Sequence, residues 1–217
     1  MYDHPGTTPS SRSSGERLRR SLGSLAAGAL GAALLVAFLV AGMWAVEIAD
    51  YLMPGSFDVY GIRAWDEEGL AGIFLAPFLH ADFAHLMANS LPLLVLGFLA
   101  ALRGVGRFLA ASLIIIVVSG VGVWLTTDPR FVTVGASGLV FGYFGLVVAR
   151  GLFDRRPLDI VIGVGVAVAY YSIIWGVLPT QPGVSWQGHL FGLVGGVLAA
   201  WVLRRRRPAV EPYGSPY

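Results

Sequence analysis

Among the few polar side chains inside long apolar stretches of the chain, four stand out: His85, Asn89, Ser137 and His189. Each is costly in hydrocarbon unless it is paired or lines a water-filled cavity, so these four are where chemistry is expected. A serine and a histidine together define nucleophile and base, the histidine taking the hydroxyl proton as the oxygen attacks a carbonyl. His85 and Asn89 are four apart and share one helical face, where they can add hydrogen-bond donors for the oxyanion that such an attack creates. Ser137 lies in Gly135-Ala136-Ser137-Gly138, and His189 in Gly188-His189-Leu190-Phe191-Gly192. At a helix start the Ser137 amide is free, and the helix dipole favours negative charge there.

The elements that must position these groups are membrane spans. The 217 residues are 56% hydrophobic and 13% charged, with mean hydropathy +0.71, outside the balance of a soluble domain. Uncharged runs place six spans at about 21–46, 83–102, 108–127, 136–150, 160–178 and 186–203. The last two are separated at Pro179, Gln181, Pro182 and Gly183. The expected fold class is an all-α membrane protein with six transmembrane helices. Residues 1–20 form a disordered cytoplasmic tail, and 204–217 a basic, then proline-rich one, since neither can bury enough apolar surface to fold. Between the first two spans runs a long loop, 47–82, whose Gly69–Ala81 stretch is apolar but too short to cross.

Every basic residue is arginine, which points to a GC-rich bacterial source. Thirteen of the fifteen arginines fall in the N-terminal tail, the 103–107 and 150–156 turns and the Arg204–Arg207 cluster. Alternating spans put all of these on one side, which places both termini in the cytoplasm and the chain in the bacterial plasma membrane as a multi-pass protein. The same distribution argues against a nucleic-acid partner despite the pI near 9.1. Without cysteine or a His-Glu-x-x-His pattern, no metal and no cofactor is expected.

Counting up from the arginines at about 1.5 Å per helical residue puts Ser137, His189 and Asn89 at roughly 20, 22 and 21 Å, with His85 about one turn higher. They share one plane below the outer surface of a core about 30 Å thick. A helix beginning at Ser137 cannot span that core, so Phe131–Gly135 must enter as irregular backbone, which requires protein or a water-filled cavity around it. Gly138, Gly142 and Gly145 on the fourth span, and Gly188, Gly192 and Gly196 on the sixth, give each helix a side-chain-free seam for close approach. Glu47 and the other outer-side acids lie outside the expected spans, so a dyad rather than a Ser-His-Asp triad is expected. Phe141, one turn after Ser137, is placed to pack on the imidazole.

At this point the sequence resembles the rhomboid protease family. The resemblance rests on His80, His85 and Asn89 in His-x-x-x-x-His-x-x-x-Asn, on Gly135-Ala136-Ser137-Gly138, and on Gly188-His189 followed by Gly192 and Gly196; it covers roughly residues 70–203. It implies a rhomboid-like bundle acting as an intramembrane serine endopeptidase, with single-pass membrane proteins in the lipid bilayer as substrates, cut near the outer boundary. It also implies that Ser137 is nucleophile, His189 base, and His85 and Asn89, with Gly135 and Gly138 beside the serine, the oxyanion and substrate-binding set. Phe141, Gly192 and Gly196 support them. Two features depart from the family: Arg63-Ala64-Trp65 stands where a Trp-Arg pair is frequent, and Phe141 where a tyrosine is frequent. A noncatalytic rhomboid-like client-binding protein and a small transporter are the competing classes. His80, near the outer boundary, is expected to face headgroups or water.

Overall fold

The computed structural model describes residues 14–180 and 183–205. The expected tails at 1–13 and 206–217, and Gln181 and Pro182 of the expected turn, lie outside them. The described chain is a helical membrane bundle. Its elements are α1 (Ser14–Leu52), the short α2 (Gly72–Leu75), α3 (Phe83–Ala101), α4 (Val105–Thr126), α5 (Ser137–Asp154), α6 (Pro157–Ala169) and α7 (Trp186–Val202). Strands β1 (Ile62–Arg63) and β2 (Val132–Thr133) pair antiparallel, Ile62 opposite Thr133 and Arg63 opposite Val132. Among the described residues α1, α3, α4 and α5 are long and apolar enough to cross a membrane. A fifth crossing is available if α6 and the 3-10 helix Tyr171–Val177, bent by 67° from it, are taken together. The 17 residues of α7 sit at the short end of crossing length.

Two expectations about extents are corrected. Residues 14–20, assigned to a disordered tail, are the first turns of α1, because a helix already nucleated by the apolar run propagates cheaply through Glu16, Arg17, Leu18 and Arg19, all good helix formers. The fifth span is not continuous: α6 ends at Ala169, capped by Tyr170, whose amide donates to the Val166 carbonyl at 2.9 Å, and the chain turns. Tyr170-Tyr171-Ser172-Ile173-Ile174 is a run of aromatic, hydroxyl and β-branched residues of weak helix propensity, followed by Gly176 and Pro179.

At the centre of the bundle, α5 packs along α7 and both pack on α4. The glycines explain the closeness, with one revision. A Cβ on Gly192 or Gly196 would overlap the carbonyls of Gly138 and Gly142, so the α7 glycines admit α5 backbone directly. Of the α5 glycines, Gly145 faces α7, where a Cβ would lie 2.7 Å from the Leu193 carbonyl, but the other two admit α4: a Cβ on Gly138 would lie 2.5 Å from Ser119 Oγ, and one on Gly142 would overlap Ile115. The seams thus serve a three-helix wedge rather than one pair. Gly188 is the looser member, its nearest contact being Ser185 Oγ at 3.3 Å.

The long loop is tied to this wedge. Trp124 Nε1 on α4 donates to the Asp66 carbonyl at 3.0 Å, and the Trp65 amide donates to the Trp124 carbonyl at 3.3 Å. The two indoles lie 5.3 Å apart. Arg63-Ala64-Trp65 therefore runs from β1 into a clamp on α4, with Trp65 in the left-handed region at φ 60°. Ile62, Ile73, Ala76 and Val123 form a small core beneath. The Gly69–Ala81 stretch folds as short helical turns on α4, and the Ala76 carbonyl accepts from the Gly135 amide at 2.8 Å.

Candidate functional site

Ser137 is the first residue of α5, and no side chain caps that helix: the N-cap position is Ala136. The amides of a helix's first turn have no intrahelical acceptor, so the Ser137 N–H is left available beside its own hydroxyl, at the positive end of the helix. Gly135 delivers the chain to this point with φ +115°, a conformation side-chain-bearing residues avoid. The approach is the irregular segment that includes β2, held by β1 and by Ala76.

His189 lies one turn into α7, whose N-terminus is capped by Ser185, its Oγ accepting from the Gly188 amide at 3.2 Å. The imidazole is 7% exposed. Its ring stacks on Phe141 at 4.0 Å between centroids and 9° between planes. Its Nδ1 lies 2.8 Å from the Gly176 carbonyl. A carbonyl can only accept, so Nδ1 carries the proton and Nε2 is left with the free lone pair. Gly176 reaches the ring because of the bend after α6. A Cβ at position 176 would stand 2.6 Å from Phe141 Cζ and 3.1 Å from His189 Nδ1, so the approach requires glycine. Among the described residues no hydrogen bond joins Ser137 Oγ to His189.

On α3, the Asp82 carboxylate caps the helix by accepting from the His85 amide at 2.7 Å. The His85 ring lies over Gly135: a Cβ there would be 2.5 Å from Cε1 and 2.7 Å from Nε2. Asn89 is buried, and one of its amide hydrogens goes to the His85 carbonyl at 3.2 Å, leaving the other for a ligand. The expectation for His80 is overturned. It is 1% exposed, meets His85 edge-on at 5.2 Å, and lies with Nε2 3.4 Å from the Ala136 amide. The turn ending at Phe78 and the cap at Asp82 fold the segment inward. Burial, with His85 beside it, pushes the His80 pKa down to about 4.

The structure therefore gathers Gly135, Ser137 and His85 around one helix start, with Gly138 against Ser119 and Gly188. Two residues were missed by sequence reasoning: Ser119, whose Oγ donates to the Gly188 carbonyl at 2.9 Å, and Ser185. Ser185 had a signal, a serine just before a helix start; Ser119 looks like one more small residue in an apolar span. Both line, with Ser137 and Gly138, a cavity of about 30 Å³, large enough for a water. No group of three or more metal-ligating side chains occurs among the described residues.

Residues 67–206 match the Rhomboid domain, and the chain belongs to the rhomboid family. Among its relatives is an uncharacterised protein of Mycobacterium tuberculosis, 45% identical over 191 residues, which cover 81% of this chain and 78% of the relative. An uncharacterised protein of Mycobacterium leprae is 41% identical over 188 residues, covering 80% and 73%. A Bacillus subtilis protein with the name "Putative rhomboid protease YdcA" is 27% identical over 135 residues, covering 59% and 65%. The fold and these relatives make the chain a multi-pass membrane protein of rhomboid type.

Proposed function

We propose that the protein is an intramembrane serine endopeptidase that cuts single-pass membrane proteins, with Ser137 as nucleophile and His189 as general base. The observation that carries the reading is the fixed tautomer of His189. The Gly176 carbonyl and the Phe141 face hold the ring in the roles that a carboxylate would otherwise fill, and Nε2 is the nitrogen left to take a proton.

In the reaction, the Ser137 hydroxyl gives its proton to Nε2 as Oγ bonds to the scissile carbonyl carbon. The negative oxygen that results accepts hydrogen bonds from the Ser137 amide and the spare Asn89 amide hydrogen, with His85 alongside. The imidazolium then protonates the leaving amine, and the acyl-serine is released by a water whose proton passes to Nε2. The cavity between Ser119, Ser137 and Ser185 supports this step by offering space for that water. Arginine asymmetry supports an orientation with both termini in the cytoplasm and the site opening to the other side of the bacterial plasma membrane.

The absent Ser137–His189 hydrogen bond favours a second reading, a noncatalytic member that binds membrane clients through the same groove. Catalytic hydrogen bonds are often long without substrate, which keeps the first reading ahead. Purified protein in liposomes, mixed with a reporter single-pass substrate, separates them. Cleavage by the wild type, lost in both Ser137→Ala and His189→Ala while each stays folded, supports the protease. No cleavage and no labelling of Ser137 by a fluorophosphonate would leave the client-binding reading.

A further inference from the structure

At the arginine-rich end of the bundle the charges are unevenly matched. Arg103, in the turn between α3 and α4, takes both nearby carboxylates: Asp154 of α5 at 3.4 Å, and Asp159 of α6 through a close Nη2 contact. Arg150, half-buried on α5 beside them, has no hydrogen bond or ion pair among the described residues. Asp154 and Asp159 lie close enough to act on its charge, but both are engaged by Arg103, and sharing two carboxylates among several guanidinium groups drawn partly out of water is an expensive arrangement. Arg150 lines a small recess of about 20 Å³, which Arg107 and Arg205 also line. It also lines a cavity of about 400 Å³ that opens between α1, α3, α5 and α6, within the size range of ligand pockets.

That cavity has two chemistries. Arg103, Arg150 and Asp159 line its polar part, while Leu25, Leu99, Val147 and Ile162 belong to its apolar wall. Across the two spaces four arginines face two aspartates, an excess of two positive charges. An apolar cleft beside a cluster with more guanidinium groups than carboxylates, at the end of a membrane bundle, fits a molecule with a phosphate at one end and hydrocarbon at the other. We propose that this cavity binds one anionic phospholipid from the adjoining leaflet, its phosphate accepting from Arg150 and an acyl chain lying between α1 and α6. The lipid offsets the excess positive charge and fills the seam between α1 and the rest of the bundle. This site is separate from the Ser137 region and does not depend on protease activity.

Two variants address the two ends of the ligand. Arg150→Gln removes the cation and leaves a side chain that needs no counter-ion. Gly28→Leu fills the cavity from α1, where an added Cβ meets nothing within 4 Å, so the helix accepts it. The full chain would be placed in nanodiscs of phosphatidylcholine, alone or doped with phosphatidylglycerol, and retained lipid read by native mass spectrometry alongside the thermal midpoint. The wild type is expected to keep one phosphatidylglycerol in preference to phosphatidylcholine and to melt higher in the doped discs. Each variant should retain about tenfold less of it and lose the rise, the effect of removing one charge-assisted contact or its apolar counterpart. Equal retention of the two lipids by the wild type overturns the proposal, as does wild-type retention by either variant. Soluble glycerol phosphate raising the midpoint in neutral discs as much as the doped lipid does would also overturn it, since that marks an anion site without a lipid.

Discussion

Gly135→Ala tests how the helix start and His85 are coupled. The substitution adds one methyl group at a residue held at φ +115°, and the added carbon would stand 2.5 and 2.7 Å from atoms of the His85 ring. The backbone strain is about 1–3 kcal/mol, within what a folded bundle tolerates. The overlap is relieved only if the ring moves, because Gly135 is pinned by its hydrogen bond to Ala76. Displacing one oxyanion donor lowers kcat by about 10²- to 10³-fold. The assay is cleavage of a reporter substrate in liposomes, with thermal melting to confirm that the protein is folded. His85→Ala should show a loss of the same order. The double variant is the informative one: with the ring gone, the methyl group has room, so adding Gly135→Ala to His85→Ala should cost far less than the roughly 10²- to 10³-fold that either change costs alone. Wild-type turnover in Gly135→Ala would refute the reasoning, and so would two losses that simply multiply.

Three more outcomes are expected. Phe141→Leu removes the stacked face behind His189, worth about 0.5–1.5 kcal/mol, and should lower kcat about 2- to 10-fold with little change in KM, whereas Phe141→Tyr keeps the ring and the rate; turnover assays of the pair check this. Gly196→Ala drives a methyl into the Gly142 carbonyl and should destabilise the bundle by about 1–3 kcal/mol or more, while Gly165→Ala, where an added Cβ meets nothing within 4 Å, should melt no lower than wild type. His80 titrates near 4 when folded and near the ordinary 6.5 when unfolded, so between these values the unfolded chain binds more protons. Stability is therefore fully present above pH 6.5 and falls as the pH drops toward 4, by up to about 3 kcal/mol; melting in detergent across that range should show the slope in wild type and a shallower one in His80→Gln.

The helical class, the family and the positions of the apolar helices were legible because uncharged runs of about 20 residues have few alternatives in a chain this apolar. The irregular entry before Ser137 was readable because a helix from there to Arg150 is too short for a full crossing. What the sequence hid depends on contacts between distant segments. His80 stands in an apolar stretch too short to cross, and only the folding inward of that stretch against His85 and Ala136 buries it. Glycine spacing announced close packing but not which neighbour each glycine admits, since a missing side chain carries no direction. The bend after α6 has weak local signals, and nothing in Gly176 itself says that its carbonyl will meet a histidine thirteen residues later.

That carbonyl has an evolutionary corollary. A side-chain partner for His189 could be deleted by one codon change, and its loss would stand out in any comparison of related chains. A main-chain oxygen is present whatever residue is encoded, so the contact is inherited through the shape of the turn rather than through a letter. A mutational scan would register it only indirectly, as intolerance of bulk at 176 and of straightening near 170, and the third member of the arrangement would pass for a loop constraint.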